Sequence, residues 1–306
     1  MTDFTRNFDV DRATTVLPRW WNDLLRLWRP AGVPAEDDGL RLAIRGDYLN
    51  FYRKGASIAE VTFPSRGQPF MALSRKYVYA ELRTAPKTGT VRVADDVPED
   101  SERIIKYPDI DALRGWIKNV DDAHIRPEKR QIDALLDASP DVIDLEMTFS
   151  QDNNKQSIDI VCMEAQGDGV GLAFWEAKRT KGEKRVRVDG SANLPHVIKQ
   201  IGGYRSYLHS PGTARRLANE YRRVARMLIQ LRAYADTLGP VCPLGVNIIA
   251  AASATSITVD CEPRLVMFLD KTDTTWGTLH AHKLVKEGIP MAQVFPPVRL
   301  ERSLLG

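Results

Sequence analysis

The sequence has no long apolar run and few cysteines. No stretch approaches the roughly 18 consecutive apolar residues of a membrane-spanning helix, and no apolar segment follows a basic start at the N-terminus. These absences argue against a membrane protein or a secretory leader, and we expect a cytoplasmic protein. Cys162, Cys242 and Cys261 are odd in number, far apart and set in apolar stretches. We expect reduced side chains, with neither a disulfide framework nor a zinc site.

Charge is unevenly spread along the 306 residues, although the net charge is only +3. The range 176–232 holds fourteen Lys and Arg against four Asp and Glu, which leaves the rest of the chain acidic. A basic block in an acidic protein is typical of a site for a polyanion such as nucleic acid, although an Arg-rich helix surface in solvent gives the same pattern.

The first 117 residues are predicted to form a small α+β domain for recognition or for binding a protein or ligand partner. Trp21, Leu24 and Trp28 form one stripe of an amphipathic helix over 13–29, with Pro18 near its first turn. Four β-rich runs are predicted to form strands that pack on this helix, over 40–45, 48–53, 57–63 and 76–82.

Residues 118–306 are predicted to form a second domain of the α/β class, a mixed sheet with flanking helices. The hydrophobic patterns predict helices and strands in the following order: helix 127–136, strands 142–149, 157–163 and 171–178, helices 194–208 and 213–238, strands 244–251 and 264–269, and helix 276–287.

The segment 157–178 is predicted to be a β-hairpin that carries an unusual set of charges. Its turn lies at 167–169, which pairs Asp159 with position 175 or 176. Glu176 and Lys178 share one face of their strand because side chains alternate. Charges are costly inside apolar strands unless they have a role. Two close carboxylates and an ammonium are suited to Mg²⁺ and to hydrolysis of a phosphodiester.

These residues resemble the PD-(D/E)xK superfamily of nucleases. An Asp on the second core strand is followed by Glu-x-Lys on the third, as in Asp159 and Glu176-Ala177-Lys178. Glu128 begins a helix like the glutamate of the family's first core helix, and Gln200 and Tyr204 match a Q-x-x-x-Y pattern on the next helix. The resemblance therefore implies a restriction-endonuclease-like fold for the second domain.

The resemblance also implies roles for individual residues. Asp159, Glu176 and the Ala177 carbonyl would hold Mg²⁺, for which Mn²⁺ can substitute, Glu128 would reach it directly or through water, and Lys178 would assist the attacking water. Gln200 would support the site or contact the strand. Tyr204 is likewise expected to contact nucleic acid. Independently of the resemblance, four basic residues directly follow the Glu-x-Lys strand and are expected to contact phosphates there: Lys181, Lys184, Arg185 and Arg187.

The function expected from this resemblance is that of a Mg²⁺-dependent endonuclease, with DNA favoured over RNA, in restriction, phage defence or repair. A homodimer would suit the cutting of both strands. The alternative is a catalytically inactive protein that binds nucleic acid or acts as a scaffold on a nuclease fold. The intact Asp, Glu and Lys argue against this alternative.

Overall fold

The structure is a computed structural model that describes residues 4–15, 18–35, 38–80, 88–96, 104–120, 125–151, 154–181, 186 and 195–305. The described residues form a mixed α/β structure with two six-stranded sheets and several helices. Among the described helices, none has both the length and the apolar character to cross a membrane.

The N-terminal tryptophans lie in the core, as their helical spacing predicts. Helices α1 (Val10–Thr15) and α2 (Arg19–Leu27) cover this part of the chain, and Pro18 is the N-cap residue of α2. Trp20 and Trp21 are fully buried. The indole Nε1 of Trp21 donates a hydrogen bond to a main-chain carbonyl of α1, which satisfies its polar atom inside the core.

The first sheet follows the chain order, with antiparallel neighbours except for its last, parallel pair. Its strands are β1 (Arg41–Ile44), β2 (Tyr48–Arg53), β3 (Ala56–Thr62), β4 (Phe70–Ser74), β5 (Thr90–Ala94) and β6 (Ile104–Lys106). Two short helices accompany it, α3 (Arg75–Val78) and α4 (Ile110–Lys118).

One strand of this sheet was predicted in the wrong place. The predicted strand at 76–82 begins inside α3, and residues 81–87 lie outside the described part of the chain. The strand that does pair with β3 comes earlier, because Met71 and Leu73 alternate into the core there. Ser74 then precedes the first turn of α3.

The second sheet has the order β12-β11-β9-β8-β7, and β10 also pairs with β9. Strands β7, β8 and β9 pair with one another in antiparallel fashion. Strands β10 and β11 pair with β9 in parallel, and β12 pairs with β11 in parallel. Their bounds are β7 (Val142–Gln151), β8 (Asn154–Gln166), β9 (Gly169–Arg179), β10 (Thr258–Val259), β11 (Arg264–Phe268) and β12 (Met291–Val294).

Helices pack around this second sheet. They are α5 (Pro127–Leu136), α6 (His196–Leu208), α7 (Thr213–Asp236), α8 (Val246–Ser253) and α9 (Ala281–Lys286), with a π-helical turn at Trp276–His280 and a 3₁₀ turn at Arg302–Leu304.

Helix α8 replaces a predicted strand at 244–251. Ile248 and Ala251 are buried three residues apart, while Val246 and Ile249 are exposed. A strand would bury every second residue, whereas a spacing of three places two residues on one side of a helix. The strand prediction was therefore wrong because a short apolar run fits both structures.

The two sheets are joined by a buried charge network around Asp144 of β7. Its carboxylate accepts hydrogen bonds from Arg6 at 2.8 Å, from Arg45 at 2.7 Å and from the Tyr221 hydroxyl at 2.9 Å. Burial alone would raise the pKa of Asp144, but the two guanidinium groups outweigh it and lower that pKa. Side chains from the N-terminal segment, the end of β1 and α7 thus bind one carboxylate of β7.

Candidate functional site

The register of the β8–β9 hairpin brings Asp159 to the Glu-x-Lys segment. Ile160 is the partner of Trp175, and the next step along the two strands places Asp159 level with Glu176. The Ala177 N–H donates a hydrogen bond to Oδ2 of Asp159 at 2.9 Å. The predicted hairpin, with its turn at Gly167, is confirmed.

Glu176 and Lys178 are both only 2% exposed, although they are charged residues on a strand. The Lys178 ammonium donates to Oε1 of Glu176 and to the Ala177 carbonyl, the latter at 2.8 Å. It also lies 3.9 Å from Oδ2 of Asp159. The ammonium is therefore surrounded by oxygens of three of the four residues predicted to hold a cation, Asp159, Glu176 and Ala177.

Helix α6 supports the carboxylate of Glu176 from the other side. Gln200 Nε2 donates to Oε1 of Glu176 at 2.6 Å, and the Tyr204 hydroxyl lies 2.9 Å from Oε2. Gln200 and Tyr204 are one helical turn apart and also contact each other at 2.5 Å. The Tyr204 hydroxyl reaches the Ser157 carbonyl as well.

Tyr204 lies in the core and not on the nucleic-acid-binding surface expected from the sequence. The sequence placed it among the residues that contact nucleic acid, yet it is 1% exposed and lies behind Glu176. A buried side chain presents no surface to a strand of nucleic acid. Tyr204 instead helps to fix the orientation of a carboxylate.

The electrostatics of the site reflect charges held together away from water. Burial, and then the nearby charge of Asp159, raise the pKa of Glu176 to about 8, and Lys178 and the Tyr204 hydrogen bond only partly offset this. Burial also raises the pKa of Asp159. For Lys178 burial favours the neutral amine, but the carboxylates outweigh it and raise the pKa. Lys178 is thus favoured in its protonated, positively charged form.

The remaining predicted residues are less closely associated with this cluster. Glu128 lies in the first turn of α5, and its charge is among those that raise the pKa of Lys178. Lys181 is exposed just after β9 and donates to the Thr272 hydroxyl at 2.7 Å. The other three predicted contacts, Lys184, Arg185 and Arg187, lie outside the described residues.

A further carboxylate at the site was missed. Glu146 is the residue of β7 that lies between the partners of Ile160 and Ile158, level with Asp159, and its charge raises the pKa of Asp159. Its backbone has φ +51°, which is uncommon for a residue other than glycine and found at functional sites. Lys129 of α5 forms an ion pair with it. The signal was in the sequence, since Glu146 interrupts an apolar strand as Asp159 does.

The chemistry of these donors fits a magnesium ion with several of its own waters. Among the described residues, no three His, Cys, Asp or Glu side chains form a ready cluster for a metal. Two carboxylates and a carbonyl are instead the small all-oxygen set that suits Mg²⁺. Oε1 of Gln200 is buried beside them and accepts no hydrogen bond from the described residues. A bound water could donate to it.

Comparisons with known proteins add nothing to this geometry. No family model, curated protein or solved structure matches the chain.

Proposed function

We propose that this protein is a metal-dependent nuclease of the PD-(D/E)xK type, with DNA as the favoured substrate. The observation that carries the proposal is the buried Lys178–Glu176 pair with Asp159 beside it. Buried ion pairs are weak contributors to stability and costly when one partner is removed. Their presence in a strand next to a third charge therefore indicates a functional site.

The order of elements supports a restriction-endonuclease-like fold for the second sheet. Helix α5 carries Glu128, the second strand after it carries Asp159, and the third carries Glu176 and Lys178. Helix α6, which carries Gln200, follows. This order is the one that the resemblance implies.

The residues of the chain have separate tasks in such a reaction. A bound magnesium ion would polarise the phosphodiester and lower the pKa of a bound water. Lys178 holds its proton, because its pKa is raised, and therefore serves to orient an attacking water or to balance charge on phosphate and not as a general base. Gln200 and Tyr204 hold Glu176 in a single orientation through hydrogen bonds to both of its oxygens.

A cleavage assay tests the proposal. Plasmid and single-stranded substrates are incubated with Mg²⁺, Mn²⁺ or EDTA, and wild type is compared with Asp159→Ala, Lys178→Ala and the exposed control Lys286→Ala. We expect cleavage with either metal by wild type and the control, none with EDTA, and a loss of about 10²-fold or more in the two site variants. Cutting by Asp159→Ala and Lys178→Ala at the wild-type rate would contradict the site. Binding without any cutting would favour the inactive alternative.

A further inference from the structure

A cleft of about 790 Å³ lies between the first sheet and the start of α5. Its described lining includes three cations, Lys76, Arg126 and Lys129, and no acidic residue. Lys76 and Arg126 are exposed and form no ion pair with a described residue. A cleft lined by charges of one sign concentrates ligands of the opposite sign. The described lining therefore favours an anionic ligand.

Lys129 connects the lining of the cleft to Glu146, the carboxylate level with Asp159. The Lys129 ammonium donates to the Gly55 carbonyl at 2.9 Å and forms the ion pair with Glu146, which lies level with Asp159. Gly55 is needed at this contact, because a Cβ there would lie 2.6 Å from the Cβ of Lys129. Arg126 and Lys129 thus line the cleft while Glu128, between them in sequence, acts on Lys178.

The size of the cleft limits what it can hold. About 790 Å³ falls in the roughly 300–1,000 Å³ range of small-ligand pockets. A volume of this size encloses a few nucleotides of one strand, whereas both paired strands of a duplex would exceed it. A short, unpaired, phosphate-bearing segment therefore suits both the size and the charge of the cleft.

We propose that this cleft binds the sugar-phosphate backbone of a single-stranded segment of nucleic acid next to the bond that is cut. The inference rests on the proposed function, since that function makes the neighbouring carboxylates the site of cleavage. Lys76 and Arg126 supply the phosphate contacts. Lys129 is already paired with Glu146 and lies at the inner end of the cleft.

Binding of fluorescent 12-nucleotide DNA and RNA single strands, and of a 12-base-pair duplex, is measured in EDTA at several salt concentrations. The variant Lys76→Gln/Arg126→Gln is compared with the control Lys106→Gln/Lys286→Gln, which removes two exposed cations elsewhere. We expect single-strand affinity roughly five- to tenfold weaker in the cleft variant at low salt, and a salt slope smaller by about 1.4, from the loss of two phosphate contacts. The control should match wild type, and melting temperatures check that both fold.

The inference is overturned if wild type binds no single strand, if the cleft variant binds it as well as the control does, or if only duplex binding weakens. Metal-dependent cleavage by wild type is measured separately. Should wild type cut nothing while the two variants still differ in single-strand affinity, the proposed function fails and the cleft remains a binding site. Should wild type cut and the variants bind alike, the cleft inference alone fails.

Discussion

The ammonium of Lys178 lies 3.9 Å from Oδ2 of Asp159 while it is bonded to Glu176. One positive charge therefore serves two carboxylates from neighbouring strands. In the metal-free protein Lys178 stands close to where a divalent cation would be needed, and the same oxygens that attract the ammonium would attract the metal. Removing the charge of Lys178 and removing the charge of Asp159 should thus have opposite effects on the stability of the metal-free protein.

Lys178→Met should destabilise the metal-free protein. Above about pH 8, where Glu176 is ionised, loss of one partner of the buried ion pair costs roughly 3–5 kcal/mol because the other charge is left uncompensated. Divalent metal should restore much of this loss, since binding to the native state alone contributes about 2.7 kcal/mol at a hundred times the dissociation constant. Thermal melts with EDTA and with Mn²⁺ measure both effects, with Lys286→Met as the exposed control. An unchanged melting temperature in EDTA would show that Lys178 balances no buried charge.

Asp159→Asn should act in the other direction. The asparagine carbonyl can still accept the Ala177 N–H, and the repulsion with Glu176 is removed. We expect the metal-free variant to be as stable as wild type or more so, and to show no rise in melting temperature on adding Mg²⁺ or Mn²⁺. Asp168→Asn, in the exposed hairpin turn, is the control. A sharp fall in EDTA together with a preserved metal-induced rise would make Asp159 a structural residue.

The stability of the metal-free protein should depend on the protonation of Glu176. Its pKa is raised from 4.5 to about 8 in the folded protein, so its contribution is fully present below pH 4.5 and is lost as the pH rises through about 8. Wild type should therefore lose on the order of 4 kcal/mol relative to Glu176→Gln between pH 4.5 and 8, at about 1.36 kcal/mol for each pKa unit. Urea unfolding in EDTA across this range measures the difference. Parallel curves for the two proteins would indicate that Glu176 stays ionised.

Tyr204→Phe should weaken metal binding without unfolding the protein. The variant keeps the ring in the core but loses the hydroxyl beside Oε2 of Glu176 and the Ser157 carbonyl. Residues that orient a metal ligand typically contribute 10–100-fold in metal affinity. Titration with Mn²⁺ measures the dissociation constant. Tyr234→Phe is a matched control, because the Tyr234 hydroxyl on α7 donates to the Asn22 side chain on α2 at 2.7 Å. An equal effect in both variants would assign Tyr204 to packing alone.

The hairpin that carries the site could be predicted because several local signals agree there. Glycines at the turn, apolar strands on either side of it and a spacing that fixes the register all favour one pairing, and Asp159 reaches Glu176 through it. Helix α5 was equally well marked, since Pro127 begins it and its bounds match the prediction.

The failures arise where the local signals are ambiguous. Helix α8 is short and apolar, and which of its residues are buried depends on the helices and strands that pack around it. Strand β4 takes its place from its pairing with β3 and β5. In the site, the sequence indicated the charges on one hairpin but not the convergence of Glu146 from the adjacent strand. That proximity depends on the register of β7, which two strands and a bulge determine together.

The sharing of Asp144 among Arg6, Arg45 and Tyr221 has a consequence for how this protein can change over evolutionary time. A recombination event that exchanged only the N-terminal half would replace both guanidinium groups and leave a bare carboxylate in the core, which costs several kcal/mol. The exchanged half would have to bring equivalent cations to the same two oxygens. The two halves are therefore constrained to be inherited together, and a new binding preference is more readily acquired through surface substitutions than through the shuffling of modules.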